Sequence, residues 1–195
     1  MSYPLRSLLA ATALTLLSPL VSAHTVWLES TDSANGYAVR FGGHAGVLED
    51  FPPAKLEQVS AIDAAGEPVA VAREDLAAGV RLQTAEPASV LTLYFNNGIW
   101  SRLPDGRSEN LPMDQVEGAE SAVNAVKYHK YIARWDAQAT QPQGQPFELL
   151  PLDAEAPAAG QPVRLKVLID GQPAQGIALA FGEEGDDAVS DAEGV

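Results

Sequence analysis

The chain has 195 residues, with 26 acidic against 12 basic side chains, three histidines and no cysteine. An acidic excess of this size leaves no basic surplus to neutralise phosphates, which argues against a nucleic-acid partner. The absence of cysteine removes disulfides, thiolate metal sites and cysteine nucleophiles, so only His24, His44 and His129, with Met113 as a weak addition, remain to bind soft or borderline metals.

The N-terminus reads as a secretory signal peptide over residues 1–23. Arg6 supplies a positive start, Ser7 to Leu17 is almost wholly apolar, and Val21-Ser22-Ala23 presents small residues at the cleavage position. No later run approaches the roughly 18 apolar residues needed to span a bilayer. The expectation is therefore a periplasmic product with no membrane span after cleavage, whose first residue is His24.

From His24 onward, short alternating segments are separated by turn residues, which predicts an all-β chain. Strands are expected over His24–Ser30, Gly36–Phe41, Leu56–Asp63, Pro68–Arg73, Val80–Thr84 and Ser89–Asn96, forming an N-terminal antiparallel β-sandwich over residues 24–136. Asn97-Gly98 reads as a type I′ hairpin turn into Ile99–Leu103, and Asp105-Gly106 as a second turn. Leu111 to Lys127 reads as a loop or short helix. A strand then runs from about Val126 to Arg134, with His129, Tyr131 and Ala133 on one face and Tyr128, Lys130 and Ile132 on the other.

Residues 137–146, rich in Gln, Pro, Ala and Gly, read as a linker. A second β unit follows over 147–195, with strands at Phe147–Leu152, Val163–Asp170 and Gly176–Gly182 and a turn at Asp170-Gly171-Gln172-Pro173. Three strands with one uncovered face make a poor independent domain. This unit is expected to be incomplete at its C-terminus or to lean on the first.

Several of these residues, taken in order, resemble a large family of exported proteins labelled as the periplasmic component of a nickel or cobalt uptake system (NikM-like or NikK-like). The pieces are a leader followed at once by His24-Thr25-Val26-Trp27-Leu28-Glu29, then Phe41-Gly42-Gly43-His44, Trp100 with Gly106, and Lys127-Tyr128-His129-Lys130. Phe147 to Leu152, Gly160 to Val167, Asp170 to Pro173 and Asp191 to Gly194 complete the pattern. The resemblance implies a two-part β protein, its second unit similar to transthyretin-like or carboxypeptidase-regulatory-like modules. It also implies delivery of a transition metal to a membrane transporter. The chain departs from the family at Val26, where a second histidine is usual.

Cleavage after Ala23 gives His24 two nitrogens, its α-amine and its imidazole, that can close a small chelate ring on Ni²⁺, Co²⁺, Cu²⁺ or Zn²⁺, a tetragonal nitrogen set favouring Cu²⁺ or Ni²⁺. The resemblance makes Ni²⁺ or Co²⁺ the first expectation. His44 and His129 are the candidates for completing the set. The plainer reading is that His24 merely follows the cleavage site, His44 sits in a polar Gly-rich loop and His129 packs among tyrosines. Glu29, Glu49 and Asp50 are candidate oxygen ligands that read more readily as solvated surface. The acidic run Glu183 to Asp187 lacks the spacing of an EF-hand loop and reads as a turn. Trp27, Trp100 and Trp135 read as core or inter-unit cover.

No nucleophile elbow, phosphate loop or His-Glu-x-x-His motif is present, so the chain is expected not to be an enzyme. Two rival functions stay open at this point: a histidine-brace copper oxidase, and a structural or adhesion β-sandwich module without metal.

Overall fold

The computed structural model describes residues 24–43, 47–180, 182 and 187–195. The strands follow the chain as β1 (Thr25–Ser30), β2 (Gly36–Gly42), β3 (Leu56–Ile62), β4 (Val71–Asp75), β5 (Val80–Thr84), β6 (Val90–Arg102), β7 (Ser108–Glu109) and β8 (Ser121–Ile132). Beyond them lie β9 (Phe147–Pro151), β10 (Leu165–Ile169), β11 (Gln172–Pro173), β12 (Ala178–Ala180) and β13 (Asp187–Val189). The remaining regular structure among the described residues is two short 3-10 turns, Pro53–Lys55 and Met113–Gln115. The chain is all-β, as its alternation predicts.

Two antiparallel sheets form the sandwich. One has the order β1-β2-β5-β4; in the other, β6 lies between β3 and β8, with β7 paired to its far end. Period-two alternation turns Val26 and Leu28 of β1 inward, together with Val39 and Phe41 of β2 and Leu82 of β5. Leu91, Leu93 and Phe95 of β6 meet them from the opposite sheet, and Phe51, on the connection into β3, closes the end. Each such side chain contributes about 1.5–3 kcal/mol of burial. Phe41, Phe51 and Phe95 form one aromatic cluster, with ring centroids 5.0 to 6.1 Å apart.

The Asn97-Gly98 hairpin does not form. The chain runs straight through it as β6, and the two residues make a bulge across which pairing with β8 continues, from Asn96 opposite Val126 to Ile99 opposite Asn124. A type I′ turn needs positive φ at both central residues. Here Gly98 has φ 85° while Asn97 has no positive φ. The bulge is fastened instead: Asn96 Oδ1 accepts from the Gly98 N–H at 3.0 Å, and Asn97 O accepts from Trp100 Nε1 at 3.1 Å. Trp100 thus caps the bulge.

Long-range pairing also decides the 111–127 stretch. Only Met113–Gln115 turns in 3-10 fashion, and the strand begins at Ser121, because residues 121–126 find partners along β6. The fourth strand is likewise shifted, to Val71–Asp75.

In the second unit, β9, β10 and β11 make a sheet in the order β11-β10-β9, and β12 pairs with β13. Asp170 (φ 49°) and Gly171 (φ 74°) form the two-residue turn between β10 and β11. The Val167 N–H donates to Gly194 O at 2.7 Å, which ties the last residues to β10.

Candidate functional site

His24 stands immediately before β1, at the end of the sandwich where β2 finishes. Its imidazole lies almost parallel to the Phe41 ring, with centroids 5.2 Å apart and 13° between planes, and Phe41 stacks in turn on the buried Phe95. His24 Nε2 is 2.7 Å from Glu49 Oε1. The two side chains are 31% and 40% exposed, so a solute can reach them.

Glu49 is held by the way β2 ends. Its N–H donates to Phe41 O at 2.9 Å, Gly42 bridges to Leu48, and the Gly43 N–H donates to Val47 O at 3.3 Å. A side chain at Gly42 would overlap Val47 O, so the chain can double back this tightly only at glycine. Thr25 pairs with Gly42, which brings His24 beside Gly43, the residue before His44. His44 itself lies outside the described residues, as do residues 1–23, where the signal peptide is expected, and residues 183–186.

His129 is used differently. It projects from β8 toward the unpaired edge of β1, and its Nε2 accepts a 3.2 Å hydrogen bond from the Leu28 N–H. That nitrogen therefore carries its lone pair, and the proton of the neutral ring sits on Nδ1. Burial pushes the imidazole pKa down to about 4. His129 thus pins the edge of one sheet to the other as a neutral acceptor. Tyr131, two residues on, continues the seam with its hydroxyl 2.9 Å from Ser30 Oγ and its ring against Tyr37. The structure does not bring His129 to His24: its bond lands four residues further along the strand, roughly 13 Å of extended chain.

Among the described residues, no three His, Cys, Asp or Glu side chains form a cluster able to hold a metal. Glu29 is taken up by Arg40, 2.7 Å away. Among the described residues, the donors placed together at the His24 end include its imidazole and the carboxylate of Glu49.

Two lysines also reach this end. Lys127 Nζ lies 5.9 Å from the centroid of the Phe41 ring, and Lys55 Nζ donates to Asn97 Oδ1 at 2.7 Å. Burial lowers the Lys127 pKa, and the charge of Lys55 lowers it further.

The other face of β8 belongs to the second unit. Lys130 and Glu148 form a buried ion pair at 3.1 Å, with side chains 7% and 1% exposed. The Glu148 carboxylate also accepts from the Gln143 and Gly144 N–H groups, and Lys130 Nζ donates to Gln141 O. The predicted linker is thus strapped to β8. A cavity of about 320 Å³ opens beside the pair, lined chiefly by Tyr128, Ile132, Trp135, Phe147 and Leu165. Trp135 Nε1 donates to Asp153 O, so this tryptophan joins the two units.

The sequence offers Glu49 beside Glu29 and Asp50 as a candidate oxygen ligand that reads more readily as solvated surface, and nothing in composition separates it from the other carboxylates. Its signal is its place eight residues after Phe41, just beyond the Gly42-Gly43 reversal.

The family described as "Domain of unknown function (DUF4198)" matches residues 21–195. A Haemophilus influenzae protein described as an uncharacterized protein is 32% identical over 165 residues, which cover 85% of this chain and 70% of that relative. No solved structure matches. Neither description names a metal, a substrate or a partner.

Proposed function

We propose that this chain, which belongs to the DUF4198 family, is an exported transition-metal-binding protein whose mature N-terminus captures Ni²⁺ or Co²⁺ and hands it to a membrane transporter. The observation that carries the reading is the 2.7 Å contact between His24 Nε2 and Glu49 Oε1. A carboxylate on one ring nitrogen fixes the proton there and orients the ring, as outer partners of metal-bound histidines do. The other nitrogen, Nδ1, is the one that closes a six-membered chelate with the α-amine freed by cleavage after Ala23.

The reading takes its third nitrogen from His44, whose flanks Gly43 and Val47 are joined beside His24. It leaves His129 out, because a nitrogen that accepts from Leu28 cannot bind a metal at the same time. Stacking on Phe41 supports it further, since a ring already oriented loses less freedom on binding. An α-amine has an ordinary pKa of about 7.7–8.0, so protons compete with the metal and affinity falls as pH drops. The ion is cargo, and the protein acts as carrier, not as an enzyme.

The test is calorimetric titration of Ni²⁺ into the mature protein beginning at His24, beside a form with one glycine added before His24. The added residue turns the α-amine into an amide, and affinity is expected to drop at least 100-fold; equal affinities overturn the reading. Glu49→Gln keeps the chelate but weakens its outer partner, with an expected loss of about tenfold. Oxidation of a polysaccharide by copper-loaded protein with a reductant would move the assignment to a histidine-brace oxidase. Absence of any thermal shift with Ni²⁺, Co²⁺, Cu²⁺ or Zn²⁺ would make the histidines incidental to a structural module.

A further inference from the structure

In so acidic a chain, a cation is expected to find a carboxylate. The described arginines other than Arg102 all do, each within 4.0 Å, and Lys130 has Glu148. Lys55, Lys127 and Lys166 do not: among the described residues, no carboxylate lies within ion-pair distance of any of them, although all three are partly buried, and of these Lys55 and Lys127 stand at the same end of the sandwich. Lys55 touches the neutral amide oxygen of Asn97, and Lys127 rests over the Phe41 ring. Both flank one pair of positions on β6, since Phe95 pairs with Leu56 on one side and with Lys127 on the other.

Placing two part-buried ammonium groups close enough to repel each other costs free energy unless something negative joins them. Among the described residues, no carboxylate side chain does so. We propose that Lys55 and Lys127 form a binding site for a small di- or tricarboxylate at the His24 end of the sandwich. The class follows from how the two cations are held. Lys127 rises from β8 and Lys55 from the 3-10 turn that leads into β3, on the two sides of β6, where the flanking strands are two spacings or about 10 Å apart, and each has its own anchor, Phe41 or Asn97. A molecule with two carboxylates engages both, whereas a single compact anion engages one. Lys127 and His24 share the Phe41 ring, so an anion seated here lies beside the proposed chelate. A carboxylate already bound to a metal ion is thus a second source of the same chemistry. The site goes beyond the metal reading and stands without it.

The experiment uses metal-free mature protein and follows citrate binding by calorimetry. Lys55→Gln and Lys127→Gln are each expected to weaken citrate about tenfold, and the double variant about 100-fold, as charge-assisted contacts are lost one at a time. Lys166→Gln, on β10, is the control and is expected to bind as the parent does. Unchanged thermal unfolding of the lysine variants shows that the fold is intact. Equal citrate affinity in parent and double variant, or no binding by the parent, overturns the proposal. Inorganic phosphate binding as tightly as citrate overturns the carboxylate assignment.

A parallel titration with His24→Ala separates the two readings: this variant is expected to lose nickel binding but to retain citrate. If nickel citrate binds the parent more tightly than citrate alone, and that gain disappears in His24→Ala, the anion arrives with the metal. Equal binding of the two identifies the free carboxylate as the source.

Discussion

His129 turns the seam between the two sheets into a pH-dependent element, and the size of the effect follows from its surroundings. Burial holds its pKa at about 4 in the folded protein against an ordinary 6.5. Above pH 6.5 the ring is neutral in both states and costs nothing. As the pH falls below 6.5, the unfolded chain takes up a proton that the folded chain refuses until about pH 4, so unfolding is favoured across that window. At about 1.4 kcal/mol for each pH unit, the loss approaches about 3 kcal/mol by pH 4.

His129→Gln tests this directly, because its amide oxygen can accept from the Leu28 N–H but does not titrate. Urea unfolding of parent and variant in chelator, at pH 7, 6, 5 and 4, cancels the carboxylates common to both. The parent is expected to lose about 3 kcal/mol more than the variant between pH 7 and pH 4. Parallel pH profiles would refute the assignment of His129 as a neutral, buried acceptor.

Lys130→Met leaves the Glu148 carboxylate buried without its cation and is expected to cost about 3–5 kcal/mol in chemical unfolding, with Lys130→Met/Glu148→Leu recovering much of the loss. A double variant no more stable than the single would show that the linker contacts of Glu148 outweigh its charge pairing. Gly98→Ala is expected to cost about 1–3 kcal/mol, since its backbone is held at φ 85°. Its new Cβ would also stand 2.7 Å from Asn110 Nδ2. Asn110→Ala in the same chain relieves the crowding but not the backbone strain, so thermal unfolding of the pair apportions the two costs.

Much of the sandwich was legible because alternation is a local signal. Val80–Thr84 is a strand as read, and the two faces of β8 divide as its sequence predicts, with His129 and Tyr131 toward β1 and Lys130 toward the second unit. The two turn dipeptides show where local signals end. Asp170-Gly171 has positive φ at both residues and forms its hairpin, whereas Asn97-Gly98 is overruled by the long ladder between β6 and β8.

In the candidate site the sequence singles out His24 through the expected cleavage after Ala23, and offers Glu49 as one candidate among many carboxylates. Glu49 and His129 gain their meaning from partners 25 and 101 positions away, a pairing that no spacing rule expresses. The same holds for Lys55 and Lys127, whose lack of carboxylate partners among the described residues becomes visible only in the fold.

The central claim is that His24 holds a metal ion through its terminus and Nδ1. A crystal structure of the mature protein grown with Ni²⁺ tests it most directly. The expected result is a metal about 2.0–2.1 Å from both the α-nitrogen and Nδ1 of His24. Nε2 should still lie on Glu49, and the Leu28 to His129 bond should be intact. A metal bound through His129, or one that leaves the α-nitrogen of His24 unligated, would contradict it.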